Sequence, residues 1–323
     1  MESLSALVFG PVPSRRLGKS LGINNIPYKT CTYSCVYCQL GKAVKMQIDR
    51  QEFFKPDVIV EAVSEKLKSL STQEYPDYLT IVPDGEPTLD IHLGELIKKL
   101  HKFNIPIAVI TNASLLNREE VQQELSLADY VSVKTDAVSP EMWRKVDKPH
   151  KAIDFKVNLE TIPQFRKRFK GKFVTETMLI QGLNDTADEI EKIAQYIAKL
   201  SPEVSYIAIP TRPTAFEDIV PASEQMVAFA YQQFTNHKIN TELLIGYEGN
   251  AFATSGNFAE DLLSITAVHP MREEAVEKLM RNSNAKPETL LSLMEQQLIE
   301  KVVYNQNTYY IRKFPKQKIT CKK

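Results

Sequence analysis

Cys31-Thr32-Tyr33-Ser34-Cys35-Val36-Tyr37-Cys38 sets three of the chain's four cysteines within eight residues. Three soft thiolates so closely spaced, with no fourth beside them, suit an iron–sulfur cluster that leaves one metal position open. A structural zinc takes four protein ligands, usually as two paired spacings, and no second pair exists: Cys321 and His92, His101, His150, His237 and His269 stand singly. Disulfide frameworks belong to short, cysteine-dense secreted chains, whereas this one has 323 residues and opens Met1-Glu2-Ser3-Leu4-Ser5 with no charged stretch leading into a long apolar one. The expected setting is a reducing cytoplasm.

Around this stretch the composition is ordinary for a globular chain, 43% hydrophobic and 25% charged. No apolar run approaches the roughly 20 residues that span a bilayer, so no membrane partner is expected. Forty basic and forty acidic residues cancel, which removes the simplest argument for nucleic acid. Their distribution is uneven: within the first fifty residues Arg15, Arg16, Lys19, Lys29, Lys42, Lys45 and Arg50 outnumber Glu2 and Asp49. A cluster loop in a basic neighbourhood would attract a phosphate-bearing substrate or an acidic electron donor, although most charged runs are simply solvated.

Short apolar runs alternate with helical periodicity along most of the chain. The first strand is expected just before the cysteines, through Leu21-Gly22-Ile23-Asn24, and others at 78–82, 107–110, 130–133, 173–180, 205–209 and 241–245. Between them Val58, Ile59, Ala62, Val63, Leu67 and Leu70 recur at helical spacing after Pro56, and further helices are expected near 93–103, 118–126, 155–168, 185–200 and 222–236. Continuous apolar strands separated by amphipathic helices require a parallel sheet covered by helices. Periodicity alone leaves a partial barrel and a doubly wound open sheet both open.

The spacing Cys-x3-Cys-x2-Cys, with an aromatic residue, Tyr37, before the last cysteine, resembles the signature of the radical S-adenosylmethionine (SAM) superfamily. The resemblance implies a partial TIM-type (β/α)6 barrel. It also implies that Cys31, Cys35 and Cys38 hold three irons of a 4Fe–4S cluster while the methionyl amine and carboxylate of SAM chelate the fourth. Reductive cleavage of SAM to a 5′-deoxyadenosyl radical, hydrogen abstraction and an electron donor such as flavodoxin or ferredoxin follow from the same likeness.

Other segments resemble the family strand by strand. Tyr37 would pack near adenine. Asp84-Gly85-Glu86-Pro87 resembles the family's Gly-Gly-Glu-Pro segment, with Asp84 replacing the first glycine, so Gly85, Glu86 and Pro87 would position the amine. Thr111 and Asn112 would line the same mouth, and Ser132, Lys134, Thr135 and Asp136 stand where the family binds the carboxylate and ribose hydroxyls. Ile180, Gln181, Gly182 and Asn184 would contact adenine, and Arg212 would hold an anionic substrate. The opening from Phe9 to Gly22 resembles a subgroup of Fe–S oxidoreductases allied to the wyosine-synthesising tRNA enzymes. Those enzymes carry additional N-terminal cysteines for a second cluster, and no cysteine here precedes Cys31. Wyosine synthesis is therefore not expected, while another RNA modification is compatible.

Beyond residue 255 the pattern changes. Helical stretches at 261–266, 272–282 and 287–298 lead into two strand-like runs over 302–311, the order of a winged helix. The expected division is a barrel over 1–255, a winged-helix-like unit over 256–314 and a basic tail over 315–323. Across 256–323, eleven basic residues against eight acidic ones are a weak signal for nucleic acid. The leading expectation is a radical SAM enzyme acting on a macromolecule such as RNA. The alternatives are an Fe–S winged-helix regulator that senses redox state, or radical modification of a peptide gripped by the C-terminal unit.

Overall fold

A computed structural model describes residues 7–246, 252 and 254–313; Cys321 and the basic tail lie outside the described residues. In chain order the elements are β1 (Val8–Ser14), β2 (Gly18–Ile23), the short β3 (Thr30–Cys31) and β4 (Lys45–Met46), α1 (Pro56–Ser69), β5 (Tyr78–Ile81), α2 (Leu93–Leu100), β6 (Ile107–Thr111), α3 (Glu119–Leu125), β7 (Tyr130–Lys134), α4 (Pro140–Val146), α5 (Phe155–Arg168), β8 (Lys172–Met178), α6 (Ala187–Leu200), β9 (Val204–Ala208), α7 (Glu224–Asn236) and β10 (Thr241–Leu244). The C-terminal part adds α8 (Phe258–Val268), β11 (Met271–Arg272), α9 (Glu273–Asn282), α10 (Pro287–Glu295), β12 (Ile299–Tyr304) and β13 (Asn307–Arg312).

Eight strands form one sheet in the order β1-β2-β5-β6-β7-β8-β9-β10. From β2 to β10 every neighbour is parallel, and β1 closes one edge antiparallel to β2. Six strand–helix units run from β2 to α7 before the seventh parallel strand, which is the partial TIM-type barrel expected from the sequence. Local sequence explains the helix ends. Pro56 occupies the first turn of α1, whose Lys66 and Lys68 face the negative end of the helix dipole. The Thr186 side chain accepts from the Glu189 N–H at the start of α6, which Ser201 closes in the left-handed region. Helix α4, strand β1 and strand β11 carry too few periodic apolar residues to be read from the sequence.

The strands sort their side chains by period two. Leu21, Ile23, Leu79, Ile81, Ile107, Val109, Val131 and Val133 join the covering helices in the largest apolar cluster. Ala108, Tyr130, Val174 and Tyr206 face inward with Leu17, and by alternation Ser132, Lys134 and Glu176 face inward too. Leu17 sits in the β1–β2 turn, so that hairpin plugs the N-terminal end of the barrel. Ser20 and Thr80 share a buried hydroxyl–hydroxyl contact of 2.7 Å between β2 and β5.

The C-terminal part has three helices and a hairpin, with sheet order β11-β13-β12. Asn305 and Gln306, both with positive φ, make the two-residue turn. Its core is not separate: Phe258, Leu262, Ile265, Leu279 and Tyr310 pack in one cluster with Phe9 and Val12 of β1. Among the described residues, no helix is long and apolar enough to cross a membrane.

Candidate active site

The loop from β2 to α1 carries the three cysteines across the C-terminal ends of the strands. Its base is held by β3, which pairs parallel with β4, so the loop leaves and returns at one place. The Cys38 N–H donates to the Cys35 carbonyl at 3.1 Å and the Gly41 N–H to the Cys38 carbonyl at 3.0 Å, which coil the segment around the thiols. On its outer side the loop is held by residues 146–150: Val36 N–H donates to Val146 O, Ser34 N–H to Asp147 O, and His150 N–H to Thr32 O at 2.8 Å. Nothing in the sequence pattern marks that segment.

Gly85 explains how the neighbouring turn approaches the cysteine loop. A Cβ at this position would lie 1.7 Å from the Thr30 carbonyl oxygen, so only glycine allows the two backbones to meet. The next N–H, of Glu86, donates to that same oxygen at 3.2 Å. Pro87 begins a single 3-10 turn, Pro87–Leu89, and its carbonyl accepts from Asn25 Nδ2 at 3.2 Å.

The buried Glu86 carboxylate ties this turn to the end of β6. Its Oε1 accepts from Thr111 Oγ1 at 2.5 Å, from Thr88 Oγ1 at 2.6 Å and from the Thr88 N–H, while Oε2 accepts from the Asn112 N–H at 2.8 Å. Burial raises its pKa against the pull of those donors. Asn112 extends the link to the cysteines, donating from Nδ2 to Thr32 Oγ1 at 2.8 Å with the same nitrogen 3.8 Å from Cys31 Sγ. Burial, and next the Glu86 charge, push the Cys31 thiol up to about 12.

A second knot lies across the mouth. Tyr37 donates its hydroxyl to Asp136 Oδ2, and Lys134 Nζ stands 5.4 Å from the centre of the Tyr37 ring. Asp136 Oδ1 accepts from the Met178 N–H at 2.7 Å, which fixes it between β7 and β8. Ile180 packs with Tyr37, Val36 and Val146. Lys134 also pairs with Glu176, which Arg16 reaches from the hairpin plug. Burial lowers the Lys134 pKa.

Of the residues singled out from the sequence, Glu86, Thr111 and Asn112 meet beside Cys31, and Tyr37, Lys134, Asp136 and Ile180 meet on the other side of the loop. Ser132 lies buried on the inner face of β7. Gly182 stands apart, exposed in a left-handed turn with its N–H donated to Asp185. Arg212 bridges two regions: its Nη1 donates to Gln39 Oε1 at 2.8 Å, beside Cys38, and its Nη2 lies 3.0 Å from His269 Nε2 at the end of α8. The early basic residues do not all gather at the cysteines. Arg15, Arg16 and Lys19 belong to the hairpin end, and Arg50 pairs with Glu124.

Sequence reasoning missed Asp147, whose Oδ1 lies 3.5 Å from Cys35 Sγ and whose carboxyl is pushed well up by burial and then by Asp136. It also missed Trp143, which donates from Nε1 to the Tyr33 hydroxyl at 3.2 Å. Both follow from α4, which was not legible.

Whether this setting fits an iron–sulfur cluster is answered by what faces the sulfurs. Lys29 Nζ is 3.5 Å from Cys38 Sγ, and the Asn112 amide faces Cys31 Sγ. Donors aimed at sulfur stabilise cluster-bound thiolates, so the donor set fits. Among the described residues, no three His, Cys, Asp or Glu groups converge as ligands of a single metal ion.

Residues 25–197 match the model of the radical SAM superfamily. A UPF0026 protein of Methanocaldococcus jannaschii is 41% identical over 308 residues, covering 95% of this chain and 96% of that protein. In fold, a radical SAM methyltransferase from Sphaerobacter thermophilus superposes with a TM-score of 0.53 at 14% identity, over 70% of this chain and 66% of that one. TYW1 with a lysine-pyruvate adduct bound superposes with a TM-score of 0.50 at 15% identity, over 97% and 84%. The chain belongs to the radical SAM superfamily, whose cofactors are a 4Fe–4S cluster and SAM.

Proposed function

We propose that Cys31, Cys35 and Cys38 hold three irons of the cluster and that the chain uses SAM to abstract a hydrogen atom from a macromolecular substrate at the barrel mouth. When bound, the cluster and SAM supply one-electron carbon–sulfur cleavage to a 5′-deoxyadenosyl radical. The chain's residues supply the seat. Gly85 and Glu86 position the methionyl amine, with Glu86 Oε2 keeping acceptor capacity beyond its bond to Asn112. Thr111, Pro87 and Asn112 shape that side, while Ser132, Lys134 and Asp136 hold the carboxylate and ribose, and Tyr37 and Ile180 border adenine. Packing around Tyr37 and Ile180 excludes water. Electrons come from an acidic donor of the flavodoxin or ferredoxin kind.

The carrying observation is the contact of Gly85 with the Thr30 carbonyl, which presses a Gly-Glu-Pro turn against the cysteine loop. A redox-sensing DNA regulator needs no such seat, and α10, which follows the tight α9–α10 turn, carries Glu288 and Glu295 but no Lys or Arg. We place the C-terminal unit from about residue 256 as a cover over the β1 edge and the mouth: Tyr309 and Tyr304 donate their hydroxyls to Thr211 O at 2.7 Å and Pro210 O at 3.3 Å. The test is anaerobic reconstitution followed by dithionite and SAM. Wild type yields 5′-deoxyadenosine and Cys35→Ala yields none; equal yields refute the proposal.

A further inference from the structure

The 41–46 and 144–151 segments bring a cluster of cations to one rim of the barrel. Lys42, Lys45, Arg144, Lys148 and Lys151 are all exposed, and none has a carboxylate partner among the described residues. Within the same stretch Lys145 does pair, with Glu141 four residues earlier. The two segments are held together through the cysteine loop by Ser34, whose N–H is shared between Asp147 O and Lys148 O at 3.1 and 3.2 Å and whose Oγ accepts from the Ala43 N–H at 3.1 Å.

Two of these ammoniums converge on one ring. Lys42 Nζ lies 4.2 Å and Lys148 Nζ 5.3 Å from the centre of Phe216, in the loop after β9. That puts two like charges within about a Debye length of each other at physiological salt. Glu217 and Asp218 follow in the same loop, yet neither makes an ion pair with them. Lys148 also has φ of 43°, a left-handed conformation that a β-carbon disfavours. Unneutralised like charge at one point is a place that an anion would complete.

The band is longer than one phosphate. From Lys148 it continues into a surface groove lined by Arg144, His150, Lys151, the half-buried Phe155 and Lys156, whose ammonium is 3.8 Å from Glu160, with Trp143 buried at its floor and Asp154 as the one carboxylate of the lining. That carboxylate is already engaged in capping α5 through the Val157 N–H at 2.9 Å. Spaced cations interleaved with aromatic rings are the elements that hold a single-stranded phosphodiester chain.

We infer that this rim of the barrel, and not the C-terminal unit, binds a single-stranded RNA segment alongside the cysteine loop. The inference rests on the macromolecular-substrate reading above and names its substrate class.

The test is fluorescence anisotropy of a short fluorescein-labelled single-stranded RNA with the full chain, which needs no cluster chemistry. Wild type binds with a steep salt dependence. Lys42→Gln/Lys148→Gln/Lys151→Gln weakens binding by about tenfold or more at low salt and lowers the salt slope by about two, near 0.7 per lost phosphate contact. The matching triple arginine variant retains binding, and Lys278→Gln/Lys286→Gln on the C-terminal unit leaves it unchanged. Unchanged binding by the triple glutamine variant overturns the inference. So does displacement of the strand by equimolar pyrophosphate, which would mean a small phosphate ligand, or absence of RNA binding with capture of an acidic protein instead. Formation of 5′-deoxyadenosine without RNA, measured in parallel, stays at the wild-type level in the triple variant. Its absence from wild type would refute the radical chemistry without touching the RNA result.

Discussion

At the N-terminal end of the barrel Leu17 is almost fully buried among Tyr130, Val174 and Tyr206; at the C-terminal end the comparable space holds Glu86, Asp136 and Asp147, three buried carboxyls beside three cysteines. One end is closed by apolar packing, which stabilises the fold. The other buries acids, whose desolvation opposes folding unless donors or cofactors compensate. Arg16 and Lys134, meeting on Glu176 from opposite ends, join the two. The contrast separates an end whose packing generates stability from one whose buried acids oppose it.

Substitutions at the two ends should separate stability from cofactor binding. The largest stability effect is expected from Leu17→Ala, which removes a buried side chain from the plug and lowers unfolding free energy by about 2–5 kcal/mol. Denaturant titration measures it, and the cluster's visible absorbance after reconstitution should be unaltered. Gly85→Ala should reverse that pattern. Its Cβ meets the Thr30 carbonyl, so the loss is about 1–3 kcal/mol from overpacking, accompanied by loss of most of the cluster absorbance. A normal cluster in Gly85→Ala would break the comparison.

Arg212→Ala removes the bonds to Gln39 and His269 and should lower stability by roughly 1.5–3 kcal/mol. Because Gln39 adjoins Cys38, the electron paramagnetic resonance signal of the reduced cluster should also shift, with Arg212→Lys partly restoring it. The smallest effect is electrostatic. Burial raises the Asp90 pKa, so its folded value exceeds its unfolded value near 3.9. Its stabilising contribution is therefore complete below the unfolded pKa and lost as pH rises through the folded one. Relative to Asp90→Asn, wild type should gain stability as pH falls from neutral toward 4, read by thermal melts across that range.

The same contrast decides what the sequence could show. The strands were legible because Leu79, Ile81, Val131 and Val133 are buried beneath helices and read as continuous apolar runs. The cysteine loop and the Gly85-Glu86-Pro87 turn were legible because both are local in sequence. Asp147 was not, since its place beside Cys35 arises from a contact between residues 112 apart, carried by a helix with only Trp143 and Val146 buried. Nor could spacing show that Arg16 belongs to the plug and Lys148 to the mouth. Charge counts along the chain mix the two ends that the fold separates.

The central claim is that three thiolates hold the cluster and leave one iron for SAM. Electron–nuclear double resonance of the reduced, reconstituted protein with SAM carrying nitrogen-15 at its amine tests it most directly. The account predicts a hyperfine coupling to the labelled nitrogen that is absent in Cys35→Ala. A cluster signal of normal intensity that shows no coupling to the label would contradict it.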